Sequence, residues 1–173
     1  MTLTDASAST LRAPSTLRLD GAGYVVCALE ELWLVAPQAD VVAIEHGSEF
    51  SAPDSEFSAP DGAGSRIAWF HSPRGTLPVC VLDSSLQPSD ALHASGSHLV
   101  IVRSHPVPVA LRCQSVRIVR TRSELEVHPL PAIMQGGPVS AVARIDRCHL
   151  ALVFDKGELP AYLADLVARE EES

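Results

Sequence analysis

The feature that most constrains the fold of this 173-residue chain is a succession of about ten short apolar segments, rich in β-branched residues and separated by turn signals. Three of the connections between them are short enough for hairpins: Glu30-Glu31, His105-Pro106 and Asp146-Arg147. A doubly wound α/β fold would need a helix between successive strands. The sequence therefore predicts an all-β (mainly β) domain, built as small barrels or as a sandwich.

Only the C-terminal segment has the periodicity of a helix. Its apolar residues recur at the spacing of a single helix face, and they are Leu159, Tyr162, Leu163, Leu166 and Val167. Pro160 is compatible with the first turn of a helix. We predict one C-terminal α-helix that packs this stripe on the β-structure. An acidic end at residues 170–173 follows, where we expect fraying because the negative end of the helix dipole disfavours acidic side chains.

A tandem repeat interrupts the β-rich pattern. Residues 48–54 read SEFSAPD, and residues 55–61 repeat the same seven letters. Two copies are too few and too short for a repeat architecture. Because Pro53, Pro60, Gly62 and Gly64 disfavour a regular element, we predict a variable surface loop at about residues 46–65, of the kind that tolerates insertions.

Composition and charge disfavour several classes of partner. The chain carries 21 acidic and 13 basic residues, a formal net charge of −8, which argues against nucleic acid or an anionic membrane as the main partner. Residues 1–17 resemble neither a signal peptide nor a transit peptide, and we predict a disordered tail there. No apolar stretch approaches the roughly 20 residues that span a bilayer. The prediction is a soluble, cytoplasmic protein without membrane insertion.

A local basic cluster stands out against this acidic background. It consists of Arg112, Arg117, Arg120 and Arg122. A nucleic-acid patch is the weaker interpretation, because strand alternation would send neighbouring arginines to different faces and no aromatic residues interleave. We predict a solvated face whose arginines pair with Glu124 and Glu126.

Cysteine and histidine patterns leave one enzymatic alternative open. The four cysteines show no CxxC spacing and each lies in an apolar run, which favours buried reduced thiols; they are Cys27, Cys80, Cys113 and Cys148. The seven histidines show neither HxH nor HxxxH spacing, so we predict no metal site and no cofactor. A nucleophilic cysteine such as Cys80 or Cys113 could still meet a histidine in space. The alternative function is thus a small cysteine-dependent hydrolase or transferase.

The segment with the clearest functional character joins a charged corner to an apolar strand. Arg74-Gly75 leads into residues 76–82, and the strand ends on the carboxylate of Asp83. Pro78 indicates a strand start or a sheet edge. No nucleophile with its base, metal cage or phosphate-binding loop accompanies this segment in the sequence. We therefore interpret it as a surface for a protein partner, with a structural Arg74–Asp83 salt bridge as the alternative.

The order of these segments resembles the CheW-like domain, the adaptor module of bacterial chemosensory arrays, over residues 18–169. Arg74-Gly75 and the Pro78-containing strand that ends at Asp83 are similar to the family's most recognisable motif. Residues 32–37 and 41–44 resemble its first hairpin return, and residues 99–102, 109–111, Val116 and Leu130-Pro131 resemble its second barrel. Ser84 and Gln114 depart from the usual residues of the family, and the repeat is an addition.

The resemblance carries definite expectations for structure and function. It implies two small five-stranded β-barrels around a shared core and no catalytic activity. It also implies an adaptor in chemotaxis or twitching motility that couples the cytoplasmic tip of a chemoreceptor to the regulatory domain of a histidine kinase. Carried over by motif, Arg74, Gly75 and Asp83 are the protein-binding residues: Arg74 and Gly75 contact the receptor or hold the geometry of that contact, and Asp83 caps or braces the neighbouring strand.

Overall fold

The computed structural model describes residues 23–47, 56–58, 66–91 and 94–172. These residues form thirteen strands and one α-helix. In chain order they are β1 (Tyr24–Ala28), β2 (Trp33–Pro37), β3 (Val41–His46), β4 (Glu56–Ser58), β5 (Ala68–Ser72), β6 (Gly75–Leu82), β7 (Pro88–Ser89), β8 (His98–Val102), β9 (Val109–Cys113), β10 (Ser115–Val119), β11 (Glu126–Pro129), β12 (Ala141–Arg144), β13 (Leu150–Val153) and α1 (Glu158–Glu171). The predicted disordered tail, residues 1–17, lies outside the described residues.

The first sheet has six strands in the order β10-β1-β2-β13-β12-β11. The predicted hairpins across Glu30-Glu31 and Asp146-Arg147 are both present, as the antiparallel pairs β1–β2 and β12–β13. The central pair β2–β13 is parallel, with Leu34 opposite Leu152. This sheet therefore joins a hairpin from the start of the chain to a hairpin from its end.

The second sheet carries the segment that the sequence singled out. Its strand order is β3-β8-β9-β6-β5-β4, and the two-residue strand β7 pairs with β6 off this path. The predicted hairpin across His105-Pro106 is the antiparallel pair β8–β9. Pro78 lies within β6 opposite Trp69, and the pairing of β6 with β9 begins only at Val79, so the missing N–H of the proline costs no ladder bond on that side.

The core unites both sheets and the helix. One buried cluster includes Leu34 of the first sheet, Leu111 of the second and Leu163 of α1. A smaller cluster on the other face of the first sheet contains Val26 and Val35. Because Val25 and Val26 are consecutive and both almost fully buried, β1 is packed on its two faces, as in a sheet with layers on both sides.

The C-terminal helix confirms its predicted apolar face. Leu159, Leu163, Leu166 and Val167 are buried, and the hydroxyl of Tyr162 donates to the carbonyl of Leu86 at 2.5 Å. The start of the helix is held by Asp40, whose Oδ2 accepts from the N–H of Gly157 at 2.8 Å. At the other end the carboxylate of Glu170 accepts from the N–H of Arg66 at 2.8 Å, so the predicted acidic end begins inside the helix.

The predicted fold class is confirmed, and two details are corrected. The chain is mostly β, with two sheets and one C-terminal helix, but the sheets have six and seven strands instead of five each. The additional strands include β4 and β7, which are too short to be predicted from an apolar sequence pattern. No pairing among the described strands joins the ends of either sheet, and closure into two barrels stays a prediction.

The second correction concerns the tandem repeat. The second copy was predicted to contain no regular element, yet Glu56–Ser58 form β4 and pair with β5. A strand of three residues fits between Asp54 and Pro60, which both disfavour regular structure. Phe57 gives this strand an apolar contact, because its ring centroid lies 5.0 Å from that of Phe70. Apolar packing therefore outweighed the turn-forming neighbours.

Candidate protein-binding site

The candidate site is the hairpin corner between β5 and β6, which we call the Arg74 corner (Ser72 to Gly75). Ser72 and Gly75 face each other as the last register pair of the hairpin. The Ser72 hydroxyl donates to the carbonyl of Gly75 at 3.1 Å and accepts from the N–H of Arg74 at 3.3 Å. Serine in this position satisfies the turn's backbone locally, so the corner has a defined shape at the surface.

Gly75 is required at this corner by its backbone conformation. Its φ is +132°, a region that side-chain-bearing residues rarely adopt, while a Cβ placed there would meet nothing within 4 Å. Crowding is thus not the reason for glycine. The predicted role of Gly75, which is to present Arg74 to a partner at this turn, stays a prediction.

Arg74 forms an ion pair with a residue that the sequence did not single out. Its Nη1 lies 3.5 Å from Oε1 of Glu45, at the end of β3. The Arg74 side chain is 58% exposed, whereas that of Glu45 is 10% exposed. A largely buried carboxylate therefore sits beneath a largely accessible guanidinium. Arginine presents its donors in a planar fork that matches carboxylates and carbonyl groups.

The alternative salt bridge between Arg74 and Asp83 is wrong. The two residues flank the eight-residue strand β6, and nine steps of about 3.3 Å place them roughly 30 Å apart. Asp83 instead organises the turn into β7: its Oδ1 accepts from the N–H groups of Ser85 at 2.8 Å and Gln87 at 3.0 Å. Asp83 is thus separated from the Arg74 corner, and its part in partner binding stays a prediction.

A second exposed feature was not predicted from the sequence. The loop between β11 and β12 carries a 3₁₀ turn, Ala132–Met134, on which the side chains of Ile133 and Met134 are 94% and 56% exposed. Residues 130–140 contain no charged side chain. We call Ile133 and Met134 the apolar tip. Large exposed apolar side chains on a neutral loop are typical of contact residues.

The basic cluster does not form the predicted ion pairs with Glu124 and Glu126. Glu124 accepts from the N–H of Thr121 at 3.0 Å, and Glu126 pairs with Arg144 at 3.5 Å and with His128 at 3.2 Å. Arg112 is only part-exposed, with its guanidinium 4.8 Å from the ring centroid of Phe57. The cluster is therefore split between a packed arginine and exposed ones, because its members lie on different strands and faces.

The cysteines are three buried thiols and one exposed one. Cys27, Cys80 and Cys113 are buried, as predicted, but Cys148 is exposed because it lies in the β12–β13 turn, before β13 begins. Burial raises the pKa of Cys80 to about 12. A hydrogen bond with Cys27, together with burial, raises the pKa of Cys113 well above its usual range. Neither thiol is suited to act as a thiolate nucleophile at neutral pH.

We expect alkylation of the folded protein to follow this division. At neutral pH a mild thiol reagent should label Cys148 alone, at the rate of an ordinary exposed thiol, and the three buried cysteines should react only after denaturation. Peptide mapping of labelled protein measures this, with Cys148→Ser as the control that abolishes native labelling. Fast native labelling of Cys80 or Cys113 would contradict the described burial and favour the enzymatic alternative.

The described residues hold no obvious alternative site. They contain no group of three or more histidine, cysteine or acidic side chains arranged to bind a metal ion. No helix in the same residues is long and apolar enough to cross a membrane.

The fold is a β-rich domain with an accessible arginine and two exposed apolar side chains at its surface. Comparison with known proteins finds no matching family model and no matching curated protein. Among solved structures, the chain is similar to the crystal structure of the scaffolding protein TtCheW from Thermoanaerobacter tengcongensis, at 16% sequence identity and a TM-score of 0.48, covering 78% of this chain and 88% of that chain. This similarity concerns the fold.

Proposed function

We propose that this protein is a non-enzymatic, cytoplasmic adaptor of a bacterial chemosensory system. In this proposal it binds the cytoplasmic tip of a chemoreceptor on one surface and the regulatory domain of a histidine kinase on another. The observation that carries the proposal is the Arg74 corner, where a buried carboxylate holds an accessible guanidinium on a well-ordered turn. The sequence resemblance of this same segment to the CheW-like motif supplies the class of partner.

The Arg74 corner fits a helical receptor tip. The last carbonyl groups of a helix have no intrahelical partner, and an arginine fork is suited to carbonyls and carboxylates. Glu45 limits the orientations open to Arg74, which lowers the entropy lost when a partner binds. In the proposal Arg74 and Gly75 act at the contact, and Asp83 acts indirectly by holding the β6–β7 turn.

The apolar tip is proposed as the kinase surface. Ile133 and Met134 lie in the first sheet's β11–β12 loop, whereas Arg74 lies in the second sheet. An adaptor needs two surfaces that can be occupied at the same time. Held on both sides, it would keep receptor and kinase in one assembly, so that the state of the receptor biases the conformation of the kinase.

The cysteine-dependent enzyme is less well supported. Its named candidates, Cys80 and Cys113, have raised pKa values and no exposed surface. A thiol nucleophile needs partial exposure and a lowered pKa. The adaptor proposal uses the exposed residues of the chain and requires none of its thiols.

A three-component retention assay tests the proposal. A receptor cytoplasmic fragment on a resin should retain the kinase regulatory domain only when this protein is added. Replacing the apolar tip by Ile133→Ser and Met134→Ser should weaken kinase retention at least tenfold, since interface anchors typically contribute about 1–4 kcal/mol each, while the variant still binds the receptor resin. Leu150→Ser, at a 63% exposed leucine of β13, is the matched control. Equal retention with all variants would contradict the proposed kinase surface, and no retention with any would contradict the adaptor function.

A further inference from the structure

We infer that the outer edge of β5 is a binding site for the sequence Ser-Glu-Phe-Ser, and that the two SEFSAPD copies of the chain exchange in this single site. The copies are residues 48–54 and residues 55–61. In the described structure the second copy occupies the site as β4. The inference is independent of the proposed function, because it concerns which segment of the chain completes the second sheet.

The site recognises its occupant through three side-chain contacts. The ring of Phe57 lies 5.0 Å from the ring of Phe70, and the guanidinium of Arg112 lies 4.8 Å from its centroid on the β9 side. The hydroxyl of Ser58 is 2.7 Å from Nε2 of His71. The site thus holds an aromatic ring between a second ring and a cation, with a hydroxyl next to an imidazole beside it. This combination selects for a phenylalanine followed by a serine.

The first copy presents the same groups in the same order. Phe50 and Ser51 stand in it where Phe57 and Ser58 stand in the second copy, and the flanking residues are identical as well. Local interactions therefore cannot distinguish the copies. Only the lengths of the connections before and after the strand differ.

The exchange requires the end of β3 to lie close to the site. The contact between Glu45 and Arg74 brings that end to the β5–β6 corner. β4 starts at the same corner, since Glu56 is opposite His71, the neighbour of Ser72. The present β3–β4 connection has nine residues, 47 to 55. With the first copy in place it would have two, and the following connection would lengthen by seven.

Loop length gives only a weak preference between these arrangements. The entropy of closing a flexible loop varies with the logarithm of its length, so lengthening the second connection by seven residues costs little. An exchange would move seven residues of chain from the connection before β4, which starts at the Arg74 corner, to the connection after β4, at the opposite end of β5. The repeat would then set how much chain borders the Arg74 corner.

Nuclear magnetic resonance spectra of protein labelled only at its phenylalanines, in both the amide nitrogen and the ring, test this inference. The chain has four phenylalanines, namely Phe50, Phe57, Phe70 and Phe154, so few signals need assignment. In the Phe57→Ala variant, the amide of Phe50 should appear in the docked environment, with its ring in contact with the ring of Phe70. In the matched control Phe50→Ala, Phe57 should occupy that environment. The double variant should show neither.

Thermal unfolding provides a second readout. Each single substitution leaves one competent copy that can still occupy the site, so we expect a small drop in midpoint for each. The double substitution should lower the midpoint by more than the sum of the two. If Phe50 never reaches the ring of Phe70 in Phe57→Ala, and this variant is as destabilised as the double variant, the inference is overturned.

Discussion

Replacing Phe154 by alanine should lower the free energy of unfolding by about 3–5 kcal/mol, the usual cost of truncating a fully buried phenylalanine. Phe154 has no exposed surface. Its N–H donates to the carbonyl of Val35 at 2.9 Å, and its ring centroid is 6.5 Å from that of Tyr162 on α1. The ring therefore lies where the first sheet meets the helix, and its loss would leave a cavity between them.

Denaturant unfolding measures this effect, and in a chain of this size the midpoint of thermal unfolding should fall by roughly 10 °C. Leu150→Ala is the control, because Leu150 lies on the adjoining strand β13 but is 63% exposed. Its cost should stay within about 0.5 kcal/mol. Similar costs for the two variants would mean that the sheet and the helix do not share the described core.

The sequence predicted the fold largely because local patterns agree with the tertiary structure. The hairpins across Glu30-Glu31 and Asp146-Arg147 join consecutive apolar runs, so neighbours along the chain are neighbours in the sheet. The apolar face of the helix, from Leu159 to Val167, could be predicted from the spacing of its apolar residues alone. Where a pattern was weak, as in the three residues of β4, packing between Phe57 and Phe70 decided the structure and the sequence signal failed.

The candidate site was only half predictable. An Arg-Gly pair before an apolar strand is recognisable in the sequence and indicates a turn. In the structure Gly75 has a positive φ, which favours glycine. Glu45 was missed because it meets Arg74 through a contact between β3 and the β5–β6 hairpin, 29 positions apart in the chain. A carboxylate near the end of an apolar strand was the only available signal. The exposure of Ile133 and Met134 likewise depends on the fold around their loop.

Arg74 and Glu45 should act on receptor binding as one unit. Arg74→Ala removes the proposed contact, and Glu45→Ala releases the guanidinium from the position that the ion pair gives it. We expect Arg74→Ala to weaken binding roughly 10- to 100-fold, the range for a lost charge-assisted hydrogen bond. Glu45→Ala should weaken binding less than Arg74→Ala does, because the almost wholly buried Glu45 acts only through the guanidinium of Arg74. Because the effects of substitutions at two residues in contact are not additive, the double variant should bind the receptor about as weakly as Arg74→Ala does.

The most direct test of the Arg74 corner as a partner-binding surface is therefore the dissociation constant for a chemoreceptor cytoplasmic fragment, measured for the wild type, the two single variants and the double variant. Arg117→Ala, which removes an exposed arginine from the first sheet, is the matched control for loss of a positive charge. We predict at least a tenfold weaker affinity for Arg74→Ala and at most a twofold change for Arg117→Ala. Equal affinities for these two variants would contradict the Arg74 corner as the docking surface.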